Sequence, residues 1–172
     1  MHSAKIESLY DEYGELIKFC RSNAQISFEL YINDIYKKAL LLSAASYFES
    51  IITTTILGFV SKNTRNNPEI IALVENKALK RQYHTFFNWD VNNANQFFGL
   101  FGDALKRRAR EEIKTKKLED AEAAFLSIGR ERNQLVHQNY IEVQIYDTFE
   151  EIYSKYKKAC NFVDLITQLL NV

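Results

Sequence analysis

Residues 39–60 are apolar almost all the way round a helical wheel, and a chain carrying such a run has few ways to fold. Either the run crosses a membrane or other helices surround it. Glu49 lies near its middle, and a charge at a bilayer centre costs roughly 2.5 kcal/mol or more. Six Ser or Thr residues and the lack of a basic cluster on one flank point the same way. The expectation is a central core helix, with no membrane among the partners.

The other segments read as helices that could pack around it. Residues 3–20 carry Ile6, Leu9, Tyr13, Leu16, Ile17 and Cys20 at steps of three and four. Phe28, Tyr31, Ile32, Ile35, Tyr36 and Ala39 continue this pattern into the long run. Asn67-Pro68-Glu69 is a helix start, with a capping side chain, a Pro where its missing donor does no harm and an acid in the first turn, so a short helix is expected from 68 to about 80. Residues 86–102 are aromatic and Asn-rich without clear period and read as loop plus a short helix. Asp103 reads as the cap of the next helix, residues 118–136 as another, and Asp147 with Glu150 as the capping box of a last, strongly amphipathic helix. Residues 141–146 alternate weakly, but one isolated strand has no partner. The fold class is therefore all-α: a bundle of four to five main helices plus short helices, in one domain over residues 1–172.

Charge and cysteine usage exclude several functions. Lys plus Arg equal Asp plus Glu, 22 against 22, so any nucleic-acid binding must come from a local patch. The densest patch lies between 104 and 118, where Lys106, Arg107, Arg108, Arg110, Lys114, Lys116 and Lys117 face two acids. Such a run is a solvated helix face or a phosphate-contact surface. Cys20 and Cys160 fall on apolar phases and make no disulfide framework, the first residues carry no signal-peptide pattern, and a cytoplasmic location fits both. Three His, at 2, 84 and 137, have no metal-ligand spacing, so no metal or other cofactor is expected. His84 reads as a structural or surface residue. There is no Gly-rich phosphate loop and no nucleophile elbow.

What remains is Gly129 to Tyr140, which places Arg132, Asn133 and His137 in one short segment. An Arg five residues before a His arises by chance roughly one time in seven in a chain of this composition, so spacing alone is weak. Helical phase is more informative. Arg132 shares a stripe with Leu118, Ala121, Phe125, Ile128 and Leu135, where a guanidinium must be paired or reach a solvated groove. Glu49, a lone acid in an apolar helix, is its first candidate partner. Five residues put His137 about 140° round the helix from Arg132. The two converge only if the helix bends or ends near Val136, or if two subunits face each other.

The segment Arg132-Asn133-Gln134-Leu135-Val136-His137 resembles the Arg, polar residue, three variable residues, His motif of the HEPN superfamily. The wider phrase from Gly129 to Asn139, Ala-Ser-Tyr-Phe-Glu-Ser at 45–50 and Thr-Phe-Glu-Glu-Ile-Tyr at 148–153 are similar to the RiboL-PSP subgroup. The resemblance implies a metal-independent endoribonuclease, a toxin or antiphage effector, acting as a homodimer whose two motifs line one cleft. It implies catalytic roles for Arg132 and His137 with Asn133 in support, and RNA as substrate. Glu49, Asn139 and Tyr140 are supporting candidates, and Lys106, Arg107, Arg108, Arg110 and Lys114 the RNA-guiding face. An antitoxin or defence-system partner is a further implied partner. In HEPN toxins modified by a nucleotidyltransferase a Tyr lies two residues after the motif His; Asn139 stands there, with Tyr140 one further on, so the likeness does not extend to that control. The competing expectation is a non-catalytic helical module that binds a protein or nucleotide, and a third is a subunit of a larger complex.

Overall fold

The structure, a computed structural model, describes residues 2–171, so Met1 and Val172, the ends of the expected domain, lie outside the described residues. It is all-α: α1 (Ala4–Ser22), α2 (Ile26–Asn63), α3 (Pro68–Val74), α4 (Asn95–Gly99), α5 (Asp103–Lys116), α6 (Glu119–His137) and α7 (Phe149–Leu170). Among the described residues there is no strand. Five of the helices are long, and α3 and α4 are the short ones.

The centre of the bundle is α7. Its inward residues, among them Phe149, Ile152, Tyr156, Phe162 and Ile166, are buried against α2 and α6, and side chains of that size each contribute about 1.5–3 kcal/mol when fully buried. The long run in α2 is not surrounded, as its composition suggested. Leu40, Leu41, Ala44, Phe48, Ile52 and Ile56 face the core, whereas Ser43, Ser46, Ser50 and Thr54 form an outer stripe at helical spacing that faces solvent. By length and composition α2 could cross a membrane, but its middle is occupied with helix packing. Its first turns also depart from expectation. Phe28 and Tyr31 are 62% and 67% exposed, because α1 covers only one side of α2 there, through Tyr13, Ile17 and Cys20.

Local signals explain the helix ends. The Asn67 side chain accepts from Ile70 N at 2.9 Å with Pro68 at the first helical position. The expected helix to residue 80 stops at Val74, continues as one wide turn (Glu75–Leu79) and breaks before Arg81, whose φ is +60°. Gly102, at φ +91°, caps α5, so Asp103 is its first helical residue rather than the cap. The last capping box is Thr148 with Glu151, one residue later than expected, because the Asp147 carboxylate is taken by Lys155. Cys20 and Cys160 are both buried, and burial pushes the Cys160 thiol up to about 11.

Two contacts fix the region that carries the motif. Glu122 on α6 is 2% exposed; it accepts from the Ala94 backbone N–H at 2.6 Å and from both terminal nitrogens of Arg110. This ties α5 and the turn before α4 onto α6. Lys37 donates to the Ile145 carbonyl at 2.8 Å, and buried Lys38 pairs with Asp34 and lies under the Tyr140 ring, so α2 holds the loop between α6 and α7.

Candidate functional site

α6 remains regular to its last residue, His137, and Gln138 N closes the final turn on Gln134 O at 3.0 Å. The ending near Val136 that the sequence suggested is present, but no bend turns His137 toward Arg132. The two side chains therefore leave the helix about 140° apart. They face different spaces.

Arg132 faces a slot between α2, α6 and the segment 83–89, lined by Ala45, Phe48, Glu49, Tyr83, His84, Trp89 and Asn133 among others. It holds about 10 Å³, roughly the room one water needs. His137, which is exposed, faces an open polar cleft of about 530 Å³ with Asn88, Asp90, Arg130, Gln134 and Gln138. Trp89 and Asn133 line both, so they form the wall between them.

The guanidinium of Arg132 donates to the Asn133 side-chain oxygen at 3.1 Å and lies 3.9 Å from a Glu49 carboxylate oxygen. Glu49 is at the rim rather than in the core, and a partly exposed pair at that separation is worth little, about 0–1 kcal/mol. Arg132 is thus positioned by Asn133 and only loosely neutralised. The Tyr83 hydroxyl beside them titrates well above the usual phenol range, chiefly through burial and further through Glu49, with Arg132 opposing. It remains a neutral hydrogen-bond donor at every physiological pH.

The wall is held by an unusually close approach. Trp89 donates Nε1–H to the His84 carbonyl at 2.9 Å and packs against Tyr83, Phe87 and Phe125. Its ring also lies on Gly129: a Cβ built there would sit 1.9 Å from Cζ3 and 2.2 Å from Cε3. Gly129 is needed in the middle of α6 because the indole occupies the space of its missing side chain.

The motif segment thus borders two spaces where the sequence suggested one. Of the candidates, Arg132, Asn133 and Glu49 meet at the slot, and Asn133 and His137 at the cleft. Asn139 and Tyr140 line neither. Asn139 makes the turn after α6, accepting from Ile141 N at 3.3 Å through its side chain, and Tyr140 covers Lys38. On α5, Arg110 is engaged with Glu122 and the Phe98 ring, and Arg108 donates to the Leu169 carbonyl at 3.0 Å. Lys106, Arg107 and Lys114 carry the remaining charge of that face. His84, read as a surface residue, is exposed and lines the Arg132 slot. Trp89, Tyr83 and Arg130 were missed; the one usable signal was a Gly in mid-helix, which marks a close approach without saying of what. Among the described residues no group of three or more His, Cys, Asp or Glu is placed to hold a metal ion.

The chain matches the family described as RiboL-PSP-HEPN over residues 7–172. No curated protein and no solved structure matches the chain.

Proposed function

Because the chain belongs to the RiboL-PSP-HEPN family, we propose that it is a metal-independent endoribonuclease working as a homodimer. The observation that carries this reading is the division of the motif. Arg132 and His137 open onto different spaces in one chain, while Val136, next to His137 in α6, and Ile141 and Tyr146, in the segment that follows α6, are 52%, 84% and 91% exposed. A second copy covering those residues sets the His137 of one subunit against the Arg132 of the other. Exposed apolar side chains at the end of α6 and in the segment after it support an interface there.

In that cleft His137 takes the proton of a ribose 2'-hydroxyl as the 2'-oxygen attacks phosphorus. The bond from phosphorus to the 5'-oxygen breaks, and the leaving oxygen takes the proton that the same His137 accepted. The products are a 2',3'-cyclic phosphate and a 5'-hydroxyl. Arg132 binds the non-bridging oxygens as charge builds on them, and Asn133 holds Arg132 in place. Lys106, Arg107 and Lys114 guide the strand. Such an activity belongs in a toxin or antiphage effector of the cytoplasm, restrained by an antitoxin or other defence partner.

Incubation of purified protein with RNA in the presence of EDTA tests this. Cleavage by wild type that is lost in His137→Ala supports it; no cleavage of any RNA, or equal cleavage by the variant, sinks it. The second reading is a non-catalytic module that binds a nucleotide or protein. It is favoured by one observation, that Arg132 is already held by Asn133 in a slot with room for about one water. In that case Arg132→Ala weakens binding and His137→Ala leaves it intact.

A further inference from the structure

Arg130 is the cation that shares a cleft with His137 in the same chain. The two are seven residues apart, so they lie within about 20° of one another and about 10 Å apart along α6. Asn133 and Gln134 fall between them at the third and fourth positions, and all four line the open cleft. This is a continuous polar face of one helix, whereas Arg132 points away from it into the slot.

Arg130 is also unengaged. Among the described residues it makes no ion pair within 4.0 Å and no hydrogen bond, and its Nε is buried without a partner. A guanidinium atom withdrawn from water and left unpaired costs about 1–3 kcal/mol. Every other Arg that packs onto the fold beside it differs: Arg110 has Glu122, Arg108 a carbonyl and Arg132 the Asn133 amide. An unpaired planar fork at the wall of an open cleft fits an oxyanion supplied from outside.

The rest of the lining suits a nucleotide. Trp89, partly exposed, offers a ring at one side, and base stacking on such a ring is worth about 1–3 kcal/mol in single strands. Asn88, Gln134 and Gln138 offer amides, and Asp90 offers an acceptor for an exocyclic amine. We propose that this cleft is a nucleotide subsite for single-stranded RNA, in which Arg130 binds the phosphate next to the one cleaved, Trp89 stacks its base and His137 stands at the scissile end. The subsite rests on the nucleic-acid reading above. It deepens that reading by giving each chain a phosphate anchor of its own, distinct from Arg132.

The test is binding of a short 2'-O-methylated single-stranded oligonucleotide, which cannot be cleaved, to the full chain by fluorescence anisotropy at several salt concentrations. Arg130→Gln is expected to weaken binding about tenfold and to reduce the slope of log affinity against log salt by about 0.7, the share of one phosphate contact in a single strand. Unchanged affinity and slope in a folded Arg130→Gln overturns the subsite. If Arg130→Gln does not fold, wild type decides: the Arg130 Nε–H resonance, assigned by its absence in Arg130→Lys, shifts on adding the oligonucleotide if the subsite is real and stays in place if it is not. The outcomes separate the two proposals. RNA cleavage with Arg130-independent binding overturns the subsite alone, and Arg130-dependent binding without cleavage of any RNA overturns the nuclease alone.

Discussion

Replacing Gly129 by Ala should destabilise this protein, although the same change in an ordinary helix stabilises it. In an exposed helix interior, Gly to Ala gains about 1 kcal/mol from backbone entropy. Here the new methyl would lie 1.9, 2.2 and 2.8 Å from three carbons of the Trp89 ring, all well inside contact distance. The indole is rigid and held on its other sides by Phe87, Phe125 and Tyr83, so it must move as a body. Overpacking of this kind costs about 1–3 kcal/mol. Displacing the ring also endangers the Trp89 bond to the His84 carbonyl, worth about 1 kcal/mol. The balance is a net loss of about 1–3 kcal/mol, which urea unfolding measures. Trp89 is the only Trp in the chain, so its fluorescence reports the displacement without labelling. The expected result is a lower unfolding midpoint with a shifted emission maximum in the folded state. An unchanged spectrum with a midpoint raised by the helix-propensity gain would refute the close approach and, with it, Trp89 as the wall between slot and cleft.

Other consequences follow from the buried polar contacts. Glu122→Gln removes the charge that holds Arg110 inside the fold and should cost about 3 kcal/mol, read by thermal or urea unfolding; a loss below about 0.5 kcal/mol would show that Arg110 turns to solvent freely. Thr148→Ala should cost about 1 kcal/mol while Asp147→Ala leaves the α7 cap intact, which the helical signal and unfolding midpoint of both variants check. Stability should fall in alkali. Burial raises the Cys160 thiol from 9.0 to about 11, so the folded form keeps a proton that the unfolded chain has already lost. That stability is complete below pH 9 and disappears as pH rises to about 11, a loss on the order of 2 kcal/mol. Tyr83, Tyr153 and Tyr156, all raised chiefly by burial, add to the same trend from pH 10 upward. A urea midpoint as high at pH 10.5 as at pH 7.5 would contradict this.

Helices that bury a regular stripe were legible from the residues. α7 repeats its apolar positions over 22 residues, and Asn67-Pro68 marks a start by chemistry confined to four residues. The site was legible only in part, because its geometry depends on contacts between distant segments. Residues 83–90 have no period to read, yet they supply the wall that separates Arg132 from His137. Glu122 looks like one acid among several in the first turn of α6, and only the approach of Arg110 and Ala94 makes it a buried anchor. The capping box slipped by one residue because Asp147 has a competing partner, Lys155, eight residues on. Periodicity also misled in α2, where an apolar stripe containing Phe28 and Tyr31 promised burial that α1 does not provide.

The central claim is that the Arg132 of one chain and the His137 of another act on the same phosphate. Mixing Arg132→Ala with His137→Ala, after subunit exchange by mild denaturant and dilution, tests it most directly. Neither variant alone should cleave RNA. A mixed dimer keeps one Arg132 and one His137, on opposite chains, so the account predicts that cleavage returns on mixing, in proportion to the heterodimer formed. A mixture that stays inactive although mass measurement shows the heterodimer would contradict the shared site.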